Sequence, residues 1–158
     1  MNIIIHATIT GFGGSKLEPN VPKPEFAFIG LEVLLEKFKN HYPLDRIVLR
    51  VDPIIPTPKG FEIAKKIIDK GKALGIKRIR ISFLDNYPHV KERFTLANIP
   101  QLKYDFHAPL EDRIKIWEDL GKPEVCGEPG IQCTGCISKL DCEVLGVLPI
   151  NKTSQQYD

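Results

Sequence analysis

Three short runs in this chain divide their residues between two faces in the same way. In IIIHATIT (3–10), Ile3, Ile5, Ala7 and Ile9 fall on one face of an extended strand, and His6, Thr8 and Thr10 on the other. In RIVLRVD (46–52), Ile47, Leu49 and Val51 oppose Val48, Arg50 and Asp52; in RIRISF (78–83), Ile79, Ile81 and Phe83 oppose Arg78, Arg80 and Ser82. The runs are separated by stretches far longer than a hairpin, each with a helical pattern, which is the spacing of parallel crossovers. A short run at Glu124 to Cys126 adds a fourth strand. The fold class is therefore α/β, with a mostly parallel sheet of about four strands. Residues 1–121 carry the repeating units, and 122–158 are a cysteine-rich segment with a polar tail, the two forming one compact unit.

The connecting segments are marked locally. A helix from about Glu25 to Asn40 has Phe26, Ile29, Val33 and Leu34 as its apolar stripe, widened by Leu31, Leu35 and Phe38. Pro53 is expected to stop the second strand. Thr57 and Pro58 then open a helix that runs to Leu74, where Gly75 supplies a left-handed cap. Its stripe is Phe61, Ala64, Ile67 and Ile68. A short helix is expected near Val90 to Leu96, and another from Leu110 to Leu120 with Leu110, Ile114 and Trp117 at core spacing. Beyond Cys126 the chain reads as loop, ending in a frayed tail, NKTSQQYD.

The 42% hydrophobic and 27% charged fractions of this 158-residue chain exclude global disorder and the collagen and coiled-coil classes. No apolar run is long enough for a membrane helix and no leader is visible, so the expectation is a soluble, cytoplasmic protein. A net charge of +2 gives only weak support for nucleic acid as a partner.

The chemistry lies on the face turned away from the helices. His6, Thr8, Thr10, Arg50, Asp52, Arg78, Arg80 and Ser82 cannot form a dry core, so this face is wet, paired internally, or bound to something polar. Ligands of parallel sheets sit at the carboxyl ends of strands, which nominates Thr10, Arg50, Asp52, Ser82, Asp85 and Glu128. The competing reading is an internal Arg50–Asp52–Arg80 ion network that only organises the sheet. The cysteines Cys126, Cys133, Cys136 and Cys142 follow C-x6-C-x2-C-x5-C with glycines between them. In a cytosolic chain such clustering favours zinc or an iron–sulfur cluster over disulfides, with reduced, partly buried thiols as the alternative. The GFGGS turn (11–15) matches no nucleotide-binding motif and is read as a flexible turn. His6 is read as structural, and His41, His89 and His107 have no metal-like spacing; Lys65, Lys66, Lys70, Lys72 and Lys77 form a solvated helix face.

ITGFGGSKLEPNVP (9–22), RVDPIIPT (50–57), RISFLDNYPHVKERF (80–94), GCISKLDCEVLG (135–146) and the closing TSQQ are similar to a family of radical-SAM-type proteins related to spore photoproduct lyase and described as DNA repair photolyase-like. The resemblance covers the family's middle portion. It implies an open partial (βα) barrel whose inner face holds S-adenosylmethionine against an iron–sulfur cluster, with Thr10, Arg50, Asp52, Ser82 and Asp85 lining the pocket. The family's C-x3-C-x2-C signature is absent, since Cys126 and Cys133 are separated by x6. The resemblance thus implies a truncated, split or remodelled member. Its cluster would come from a second chain, be lost, or be replaced by the four local cysteines. A non-catalytic, zinc-stabilised subunit that docks on a partner is the other functional expectation, and an open sheet with two edges makes a homo-oligomer plausible under either.

Overall fold

The computed structural model describes residues 3–39 and 43–148. Strands β1 (Ile5–Thr8), β2 (Ile47–Ile54), β3 (Arg78–Phe83) and β4 (Glu124–Val125) form one sheet in the order β1-β2-β3-β4, every pair parallel. Helix α1 (Pro24–Phe38) joins β1 to β2 and α2 (Pro58–Ala73) joins β2 to β3. α3 (Pro88–Leu96) and α4 (Leu110–Asp119) lie between β3 and β4, and α5 (Lys139–Leu145) follows β4. The α/β class and the parallel four-stranded sheet are thus as the alternating runs predict. No helix among the described residues is long and apolar enough to cross a membrane.

Ile47, Leu49, Val51, Ile79, Ile81 and Phe83 are buried on one sheet face, beneath Phe28 and Leu31 of α1 and Ala64, Ile67 and Ile68 of α2. α2 starts where its cap residues say it should: the Thr57 side chain accepts from the Gly60 N–H at 3.1 Å, and Gly75 takes a positive φ of 86° beyond its end. Gly71 lets this helix lie close on the sheet, because a Cβ there would run into the Leu49 side chain.

Several local expectations are corrected. α1 is apolar nearly all round; Phe28 and Leu31 are the buried pair, whereas Phe26, Ile29 and Val33 are exposed. Apolar periodicity alone could not choose between those two stripes. Pro53 does not end β2, which runs on to Ile54 with a register shift after Val51; the irregularity absorbs the missing N–H. In α4, Leu110 is exposed and Arg113 is buried. The stretch after Cys126 is not all loop. Ser138 and Asp141 form a capping box that opens α5, and Gly146, at φ 67°, closes it. The GFGGS turn is held by Gly14 N–H to Glu18 and Ser15 N–H to Phe12 backbone bonds, so it is an ordered turn. His41 and the tail 151–158 lie outside the described residues.

Candidate functional site at the carboxyl ends of the strands

The parallel register stacks the polar face in rows. Thr8, Arg50, Arg80 and Glu124 stand side by side. One row towards the carboxyl ends come Asp52 and Ser82, with Cys126 next to them, since its N–H bonds the Ile81 carbonyl at 3.0 Å. Thr10 ends the same face beyond β1, where the Ile9 N–H bonds Arg50 O at 2.9 Å.

The lower part of this face is closed by the cysteine-rich segment. Arg78 and Arg80, both buried, are held by Glu124 at 3.0 and 2.6 Å and by Asp141 of α5 at 2.7 and 2.9 Å. Arg80 also donates to the Cys136 carbonyl at 2.9 Å. Two guanidiniums thus face two carboxylates, so the buried charge is neutral as a set. Burial alone would raise the Asp141 pKa; the Ser138 N–H and the Arg80 and Arg78 guanidiniums outweigh it and bring it down to about 2. This corrects the Arg50–Asp52–Arg80 network: Arg80 turns to Glu124 and Asp141, and of the two arginines only Arg50 pairs with Asp52. His6 is held below the usual imidazole range, first by burial and then by Arg80 and Arg50.

Arg50, Asp52 and Ser82 do meet. Arg50 and Ser82 both donate to the Asp52 carboxylate. The Arg50 and Asp52 side chains remain 30% and 24% exposed, so the trio can meet a ligand from solvent. Thr10 donates to Glu18, a residue the strand pattern does not single out because it lies in the loop. Asp85 is drawn away to His107 Nδ1 at 2.7 Å. Glu128 is buried; it accepts the Phe83 N–H at 2.5 Å and pairs with Arg113 at 2.9 Å. Desolvation raises its pKa despite these partners, and its role is to tie the post-β4 loop to β3.

Of the cysteines, Cys126 and Cys136 bring their sulfur atoms to 3.6 Å. Cys133 Sγ accepts the N–H groups of Gly127 and Gly135 at 3.1 and 3.3 Å, which holds it in the same loop. Cys142 is buried within α5. Among the described residues no group of three or more Cys, His, Asp or Glu side chains is arranged to hold a metal ion. Two thiolates on one tetrahedral ion, with bonds of about 2.3 Å, stand about 3.8 Å apart. The Cys126–Cys136 pair fits that spacing, as two ligands of a centre whose remaining ligands must move into place. Burial, then the contact with Cys136, pushes the Cys126 thiol pKa up to about 11, so binding a metal would require displacing its proton.

A large cavity lies elsewhere on the carboxyl edge. It is a cleft of about 920 Å³ between the loop after β1, the first turn of α2 and residues 99–104, and neither the Arg50–Asp52–Ser82 trio nor a cysteine lines it. Its walls come from loops distant in sequence, so no local pattern announces it.

Fold and site define an α/β protein with a parallel sheet, a polar cluster at the strand ends and a thiol-bearing loop beside it. Comparison with family models, with curated proteins and with solved structures finds no match to this chain.

Proposed function

We propose that this chain is a radical-SAM-like protein, an open partial (βα) barrel that takes S-adenosylmethionine or another polar ligand against Thr10, Arg50, Asp52 and Ser82. An iron–sulfur cluster would be held by cysteines from the set Cys126, Cys133, Cys136 and Cys142. The observation that supports this reading is the placing of Cys126 on the row of Asp52 and Ser82, which sets a thiol beside those polar groups; the 3.6 Å approach of Cys136 is not part of that support. A bound cluster would supply the electron for reductive cleavage of a sulfonium. The chain's own groups bind and orient: Arg50 is suited to a ligand carboxylate, and Asp52 with Ser82 to an amino or hydroxyl group.

The same 3.6 Å spacing favours a second reading. Each cysteine of a four-iron cluster caps a different iron, so its sulfurs stand farther apart than two ligands of one ion. A single zinc on Cys126 and Cys136 would fasten the loop to the sheet in a non-catalytic subunit. Its polar face would then dock on a second chain, a further copy of itself, or nucleic acid.

Anaerobic purification with metal analysis and visible spectroscopy separates the two. Absorbance near about 400 nm that bleaches with dithionite supports the cluster. Stoichiometric zinc with a featureless visible spectrum supports the second reading, and absence of any metal sinks both.

A further inference from the structure

The 920 Å³ cleft is within the size range of small-molecule sites, roughly 300–1,000 Å³. Its wall is mainly apolar, with Phe12, Ile55, Ile63, Phe94 and Leu102 among the lining residues. Three exposed lysines, Lys16, Lys59 and Lys103, line it too, against a single carboxylate, Asp112. The first turn of α2 adds to this bias: Thr57, Pro58, Lys59 and Gly60 all line the cleft, and that turn contains no acidic residue. The positive end of a 16-residue helix therefore opens on the same space as the lysines. Apolar wall and net positive lining together select one kind of occupant.

We propose that the cleft binds an organic anion with an apolar body, its charge met by Lys16, Lys59 and Lys103 and its body lying over Phe12, Ile55, Ile63 and Phe94. The site is separate from the polar row of the sheet, so neither proposal depends on the other.

Isothermal titration of the full chain with decanoate, decyl phosphate and decanol tests it, below the micellar range of each. Both anions are expected to bind with one-to-one stoichiometry and decanol about tenfold more weakly, as three solvent-exposed charges would give. Which anion binds more tightly assigns the head group as carboxylate or phosphate. The K16A/K59A/K103A variant alters only exposed side chains, so it should fold; it should bind the anions no better than decanol. Leu102→Trp, which narrows the cleft at its apolar wall, should weaken binding of all three alike. Failure of both anions to bind, equal binding of decanol, or an unaltered lysine variant would each overturn the proposal.

Discussion

Cys126 and Cys136 hold their sulfur atoms 3.6 Å apart although ten positions separate them in the chain. The approach is enforced from both sides. The Cys126 N–H is tied to β3 through Ile81, and the Cys136 carbonyl accepts from the buried Arg80. The thiol pair is thereby fastened to the same strand that carries Ser82.

Timed alkylation should follow this arrangement. Cys136 is exposed, Cys126 half-buried and Cys142 buried in α5. Mass spectrometry after short exposure to iodoacetamide should find Cys136 modified first and Cys142 last. Metal-loaded protein should protect Cys126 and Cys136 together until a chelator is added. Early modification of Cys142 would contradict the packing of α5.

Removing one member of the buried charge set leaves the others uncompensated. Asp141→Ala should cost about 3–5 kcal/mol in urea unfolding, because Arg78 and Arg80 lose a shared partner with only 6% of its side chain exposed. A loss below about 1 kcal/mol, the range of exposed pairs, would show that the set is wet.

The same carboxylate makes the fold acid-sensitive. Its folded pKa of about 2 lies below the ordinary 3.8, so the stability it contributes is present above about pH 4 and is lost as pH falls towards 2. Unfolding midpoints measured down that range should drop for the native chain and flatten for Asp141→Asn.

Asp52 should matter far less to stability than Asp141. Its pair with Arg50 is partly solvated, so Asp52→Asn should change stability by about 1 kcal/mol or less. The same substitution should abolish S-adenosylmethionine binding in equilibrium dialysis if the polar row is the ligand site. Unchanged binding would remove Asp52 from it.

Two glycines should respond with opposite signs to alanine. Gly30 is exposed within α1, and no atom lies within 4 Å of the place a methyl group would take, so Gly30→Ala should stabilise by about 0.5–1 kcal/mol. At Gly60 a Cβ would run into the Ile55 carbonyl oxygen, which backbone cannot easily yield. Gly60→Ala should therefore destabilise by about 1–3 kcal/mol, read as a lowered Tm.

Much of this was legible because it is local. Alternation with period two exposes Ile47, Leu49 and Val51 as one face wherever the strand goes, and Thr57 with Pro58 caps a helix with no help from distant residues. α5 was legible in principle, since Ser138 and Asp141 have capping-box spacing, but the cysteines drew the reading towards loop. The core face of α1 was not, because Phe26 and Phe28 are equally apolar and only the sheet beneath the helix chooses Phe28.

By itself the sequence determined the parallel α/β class, the helix caps and the existence of a charged sheet face, all of which follow from backbone periodicity. Tertiary structure alone decided which charges of that face are covered and which stay open to solvent. Arg78 and Arg80 receive Asp141 from 63 and 61 positions away, which makes them structural, while Arg50, Asp52 and Ser82 stay open. Charge on a strand is visible in one dimension, but the partner that neutralises it arrives by packing, and only the charges left without such cover can meet a ligand.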